Sequence, residues 1–148
     1  MNSIIAVLFL AAVTSGAEVW EGKKYKNTES KNFDEYMKEL GVGYFTRTIG
    51  NSVQPTVELK KHGDKYTLLT TSSFKNSELN FELGKEFEEE TLDGRKVKSV
   101  MTLEGNKLIH KQGGKPPSTI TREFKDNEMI ATMTVKKVTA TRKYVVEH

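Results

Sequence analysis

From Thr56 to the C-terminus the chain alternates apolar and polar residues in short runs. Successive side chains on a strand face opposite ways, so such alternation marks half-buried strands. Leu79, Phe81 and Leu83 share one parity against Asn80 and Glu82, and Val97, Ser99, Met101 and Leu103 share one against Lys96, Lys98 and Thr102. Turn-forming residues punctuate the runs at His62-Gly63-Asp64, Leu83-Gly84, Asp93-Gly94, Glu104-Gly105-Asn106, Gly113-Gly114 and Asp126-Asn127. The strands predicted between them are Val57–Leu59, Tyr66–Thr71, Leu79–Leu83, Val97–Leu103, Leu108–Gln112, Thr119–Lys125, Met129–Val135 and Ala140–Val146, with Lys23–Lys26 a poor first strand. This rhythm predicts an up-and-down antiparallel meander of about ten strands. Closing it as a barrel removes the edges; a two-sheet sandwich is the alternative.

Ahead of the strands the period changes. Phe33, Tyr36, Met37 and Leu40 lie at i, i+3, i+4 and i+7, one face of a helix. Asn32 with Glu35 fits a capping box, and Gly41 fits a left-handed stop. A second short helix runs from Tyr44 to about Gly50, with Phe45 and Ile49 on one side, and Pro55 ends it. Helices this short are marginal alone, so their apolar faces must lie on the strands.

The first residues read differently. Met1–Ala17 carries no charge, and Ile4–Val13 is an unbroken apolar run followed by Ser15-Gly16-Ala17. The run is shorter than the roughly 20 residues a bilayer requires. The pattern predicts a secretory signal peptide over 1–17 and a single domain over 18–148, hence a secreted protein. If the leader is not used, the protein is cytoplasmic.

Composition narrows the chemistry. A chain of 148 residues allows one ordinary domain. With no cysteine there is no disulfide scaffold, thiolate metal site or cysteine nucleophile. A net charge of +3 supplies no dense basic face for nucleic acid. His62, His110 and His148 lack zinc-ligand spacing, and Gly41-Val42-Gly43 lacks the third glycine of a phosphate loop. With no Gly-x-Ser-x-Gly or His-Glu-x-x-His either, neither an enzyme nor a cofactor is expected.

Parity exposes an oddity. Arg122 shares a face with Ile120 and Phe124, Arg142 and Tyr144 share one with Ala140 and Val146, and His110 and Gln112 share one with Leu108. A buried guanidinium without a partner costs several kcal/mol. Inward polar groups on three strands predict a wet, roomy interior in which an anion satisfies the arginines. A carboxylate suits the planar fork of arginine. The alternative partner is a local carboxylate from the stretch Glu86–Glu90.

The segments Asn32-Phe33-Asp34-Glu35-Tyr36-Met37-Lys38, Leu40-Gly41-Val42-Gly43, Ser73-Phe74-Lys75-Asn76, Phe81-Glu82-Leu83-Gly84, Glu86-Phe87-Glu88-Glu89 and Asp93-Gly94-Arg95-Lys96-Val97-Lys98-Ser99 resemble the intracellular lipid-binding proteins of the calycin superfamily. The sequence is most similar to the heart, adipocyte and myelin-type fatty-acid-binding proteins, from about Tyr25 to Val146. The resemblance implies an all-β fold, a ten-stranded antiparallel β-clam with a helix-turn-helix lid. It also implies reversible carriage of a long-chain fatty acid by a monomer. The family's carboxylate-binding trio matches Arg122, Arg142 and Tyr144. Its chain-lining positions match Phe33, Tyr36, Met37, Pro55, Ser72, Phe74, Asp93, Ile120, Ala131 and Met133, with Phe74 at the portal. A retinoid or other hydrophobic carboxylate is the alternative ligand, and membrane stacking, as in myelin-type relatives, the alternative role. Lys24, Lys26, Lys31, Lys38 and Arg47 near the lid would favour transient contact with anionic membranes. Lys23-Lys24-Tyr25-Lys26-Asn27 departs from the family's usual Gly-x-Trp-x-Leu, which predicts a weaker floor.

Overall fold

The alternation read along the chain becomes a single antiparallel sheet. The computed structural model describes residues 17–148; the expected leader lies outside them apart from Ala17. The elements are β1 (Tyr25–Lys31), α1 (Phe33–Glu39), α2 (Tyr44–Ser52), β2 (Thr56–His62), β3 (Lys65–Thr71), β4 (Ser77–Glu82), β5 (Phe87–Glu90), β6 (Lys96–Glu104), β7 (Lys107–Gln112), β8 (Ser118–Phe124), β9 (Glu128–Val135) and β10 (Val138–Val146). The strand order is β4-β3-β2-β1-β10-β9-β8-β7-β6-β5. Each strand thus pairs with its chain neighbours, β1 with β10 joins the two ends, and no ladder links β4 to β5. The result is a nearly closed up-and-down barrel rather than a sandwich.

Two strands differ from the sequence expectation. The first runs over Tyr25–Lys31 rather than Lys23–Lys26. β5 was not anticipated, because its consecutive glutamates hide the period: Glu89 is buried while Glu88 and Glu90 face out.

The barrel floor is filled with aromatic rings. Trp20 and Tyr25 are fully buried. Tyr25 meets Phe124 edge-on at 5.3 Å, Trp20 lies 6.3 Å from both Phe124 and Tyr66, and Tyr66 stacks on Phe81 at 5.7 Å. The expected weak floor is therefore corrected. Tyr25 occupies the strand position, and Trp20 enters the core from the turn before it. Burial and the nearby Asp126 carboxylate push the Tyr25 phenol up to about 12.

At the other end lies the lid. α1 packs Tyr36, Met37 and Leu40 on Met133, Val135 and Ala140. Gly41 stops the helix at φ 91°, where glycine is the unstrained residue. The capping box does not form. Asn32 is left-handed (φ 62°), and its amide donates to the Thr139 carbonyl on β10, anchoring the lid to the barrel instead of capping the helix. α2 buries no residue. It is tied to α1 by Arg47 Nε and Asn51 Nδ2, both donating to Asp34 Oδ1 at 3.1 and 2.9 Å. The helices approach closely at Gly50, where a Cβ would come within 2.9 Å of Met37 Sδ.

Candidate functional site

Strand register stacks the inward residues of β8, β9 and β10 in rows. Nearest the lid are Ile120, Met133 and Ala140; then Arg122, Ala131 and Arg142; then Phe124, Met129 and Tyr144. Ala131 lies opposite both arginines, and its small side chain leaves room between two guanidinium-bearing strands. Above the aromatic floor, Ile120, Met133, Arg122, Ala131, Arg142 and Tyr144 of these rows help enclose a chamber of about 160 Å³.

Arg122 reaches across the chamber toward β7. Its Nη1 donates to His110 Nδ1 at 3.1 Å. A guanidinium only donates, so Nδ1 is the acceptor and the proton of neutral His110 sits on Nε2. Nε2 then donates to Glu89 Oε1 at 2.7 Å. Glu89 also accepts from Ser99 Oγ (2.7 Å) and Gln112 Nε2 (3.1 Å). Burial alone would raise its pKa. The hydrogen bond from His110, the Ser99 hydroxyl and the charge of Arg122 outweigh burial and hold it below the usual range. Burial drives His110 the same way, downward, against the pull of Glu89. The chain is therefore carboxylate, neutral imidazole, guanidinium. The local carboxylate considered from the sequence is present, but it reaches Arg122 through His110 rather than directly.

Arg142 meets neutral groups. Nε donates to Ser30 Oγ (2.8 Å), and Nη2 donates to Asn27 Oδ1 (3.1 Å) and to the Val53 carbonyl (3.3 Å). Its Cζ lies 4.1 Å from the centre of the Phe33 ring on α1. No acidic group pairs with it among the described residues. Burial lowers the pKa of both guanidiniums, and Tyr144 opposes that at each. The Tyr144 hydroxyl has no hydrogen-bond partner among the described residues.

Of the thirteen residues singled out from the sequence, ten line the main chamber and three border the opening beside it. Phe33, Tyr36, Met37, Pro55, Ile120, Ala131 and Met133 line the main chamber with Arg122, Arg142 and Tyr144. Ser72, Phe74 and Asp93 line a smaller space of about 90 Å³ between the lid and the β3–β4 and β5–β6 turns; Phe33, Met37, Pro55 and Arg142 border both. Phe74 is half exposed at this opening. Asp93 is not a free wall position. Arg95 grips it through Nε (2.7 Å) and Nη2 (3.2 Å), and Thr91 adds a hydrogen bond. Against the effect of burial, these bonds hold its carboxyl below the usual range. Sequence reasoning offered the stretch Glu86–Glu90 without singling out Glu89, and it missed Arg95, Asn27 and Ser30. Parity signals Glu89 only once β5 is known to be a strand.

A hollow barrel with an internal guanidinium pair and a two-helix lid leaves a narrow choice of family. Residues 21–147 match the model of the lipocalin / cytosolic fatty-acid binding protein family. The chain belongs to this family. It is 50% identical over 121 residues to the fatty acid-binding protein of Tyrophagus putrescentiae, across 81% of this chain and 92% of that one. Among solved structures, the fatty acid-binding protein from brain tissue of Drosophila melanogaster is 60% identical with a TM-score of 0.81, covering 85% of this chain and 98% of that one. The Schistosoma mansoni fatty acid binding protein in complex with arachidonic acid is 45% identical with a TM-score of 0.85, covering 88% and 97%. Family membership makes the barrel a β-clam under a helix-turn-helix lid, and the family description names binding proteins.

Proposed function

We propose that the protein is a reversible carrier of one long-chain fatty acid, its tail along the chamber and its carboxylate held by Arg122, Arg142 and Tyr144. One observation carries this reading. Arg95 and Asp93 neutralise each other beside the opening, which leaves two guanidiniums (Arg122, Arg142) facing one carboxylate (Glu89) in the chamber, with His110 neutral. The interior is one anion short, and a monocarboxylate makes up the difference. The named ligands of the relatives agree with it.

Burying about fifteen methylenes at ~0.8 kcal/mol each gives a gross gain of roughly 12 kcal/mol. Ordering the tail takes back part of it. The expected affinity lies between micromolar and nanomolar. The tail supplies most of the free energy, and the arginines select acid over alcohol. Native mass spectrometry of the purified protein, with its bound lipid extracted, tests the reading. A retinoid acid in place of a fatty acid would redirect it, and an empty interior that takes up no added palmitate would end it.

A second observation favours transient membrane contact. Tyr44 and Phe45 at the start of α2 are 76% and 78% exposed. Lys38 on α1 and Lys31 at the lid end of β1 are the lysines on this side; Arg47 is engaged with Asp34 and contributes less, and Lys24 and Lys26, expected near the lid, flank Tyr25 at the floor end of β1 instead. Transfer to anionic vesicles should slow as salt rises, and a flat salt dependence would remove the idea. The protein acts as a monomer in this scheme, since one barrel encloses the whole site. Processing after Ala17 would retain Trp20, so a secreted form keeps its floor. Intact mass of the protein recovered from medium and from cytosol distinguishes the two locations.

A further inference from the structure

Asn27 is the buried residue whose chemistry fits its place least. It lies on the inward parity of β1 with Tyr25 and is 3% exposed, where strand patterning favours an apolar side chain. An amide is buried there only if its hydrogen bonds are met. They are met from both ends. Nδ2 donates to the carbonyls of Glu29 (3.2 Å) and Lys143 (3.1 Å), and the register irregularity between Asn27 and Glu29 falls at the same point. Those two acceptors fix the amide orientation, so that Oδ1 must face the other way. Oδ1 accepts from Arg142 Nη2 at 3.1 Å.

We infer that Asn27 is a positioning residue that holds Arg142 for an incoming carboxylate without cancelling its charge, and so sets the preference for an acid over an uncharged lipid. With Ser30 on Nε and Asn27 and Val53 on Nη2, the guanidinium is fixed on one edge and stacked under Phe33. Nη1 is left for the ligand. Holding the fork in place beforehand reduces the ordering needed on binding. A carboxylate at position 27 would hold the guanidinium as firmly. It would also fill the interior's missing negative charge and leave the ligand nothing to neutralise.

The inference rests on the carrier reading above, and the experiment separates the two. The affinities of palmitate and hexadecanol are measured by calorimetry on the full chain and on Asn27→Asp, Asn27→Leu and Ser30→Ala. The ratio of the two is the readout, taken within each protein, so a loss of stability common to both ligands cancels. The unaltered protein is expected to favour palmitate. Asn27→Asp is expected to lower that preference about tenfold or more, and Asn27→Leu and Ser30→Ala by several-fold, with hexadecanol affinity little changed. A purely structural role for Asn27 predicts that the Asp variant keeps the full preference, and that result overturns the inference. So does an unchanged ratio in all three variants. If the unaltered protein binds neither lipid, the carrier reading itself fails.

Discussion

Along β8, β9 and β10 the inward face changes character within one row. Phe124 and Met129 join Trp20 and Tyr25 in a floor with almost no exposed surface, whereas Arg122 and Arg142, one step toward the lid, face space. The floor is closed by rings that touch rings. The chamber is held open by guanidiniums that other groups hold apart: His110 and Glu89 draw Arg122 toward β7, and Asn27 and Ser30 draw Arg142 toward β1. The same ladder supports both. The difference is that floor residues bury apolar surface against one another, while the chamber residues leave one charge unmatched. Stability should therefore concentrate in the floor and selectivity in the chamber, and the two should be separable by substitution.

The largest effect is expected at the floor. Phe124→Ala removes the ring shared by Trp20 and Tyr25, leaving a cavity beneath a rigid barrel. Such truncations cost about 3–5 kcal/mol. Urea denaturation should show that loss, while the palmitate-to-hexadecanol preference of the folded fraction stays as it was. A preference that fell with stability would mean that floor and chamber are not separate.

Next in size is the pH dependence of the chamber. His110 in the folded protein lies below its ordinary value of 6.5, so the unfolded chain binds the proton first as pH falls. Stability is then lost from about pH 6.5 downward toward the folded value, at a slope approaching ~1.4 kcal/mol per pH unit. Glu89 is also depressed, from 4.5, so its contribution is present above that value and is lost as pH falls through the lower folded one. Thermal melts across pH should show the first decline in the unaltered protein and not in His110→Gln, whose amide can still accept from Arg122. The second decline should be smaller in His110→Gln, which loses the imidazole bond to Glu89 and keeps those of Ser99 and Gln112.

A smaller effect, of opposite sign, is expected at Arg122. Replacing a whole buried ionic pair by uncharged groups is often neutral or stabilising, whereas removing one member strands the other. The double variant Glu89→Gln, Arg122→Leu should raise stability by about 1 kcal/mol while lowering the preference for palmitate over hexadecanol. A destabilised double variant would show that the chamber depends on this charged pair as a structural support.

The sequence made part of this contrast legible. Parity was enough to turn Arg122, Arg142 and Tyr144 inward, because each lies on a strand whose other residues of the same parity are apolar. It failed for Glu89, which sits among glutamates on a strand too short to show a period. It could not find the partners of Arg142 either. Asn27 and Arg142 are 115 residues apart and meet only because β1 pairs with β10. The capping box at Asn32 failed for a related reason: a tertiary acceptor, the Thr139 carbonyl, took the side chain that local chemistry assigned to the helix. Local patterns therefore placed the elements and their faces, while the hydrogen bonds that aim the charges depended on how the barrel closes.

The smallest expected effect concerns access from the lid side. α2 has no buried residue, and its side-chain ties to α1 converge on one carboxylate, Asp34 Oδ1. The Asn51 hydrogen bond, with the bond and charge of Arg47, lowers the pKa of Asp34 against the opposing effect of burial. Asp34→Ala removes both ties without touching the floor or the guanidiniums. The melting temperature should barely move, because nothing in the barrel core changes. Amide exchange across Tyr44–Ser52 should quicken, and palmitate should both enter and leave faster, with little change in the ratio of the two rates. Slower entry, or exchange confined to its original rate, would mean that the tail reaches the chamber by another opening, and the unpaired slot between β4 and β5 would then be the place to block.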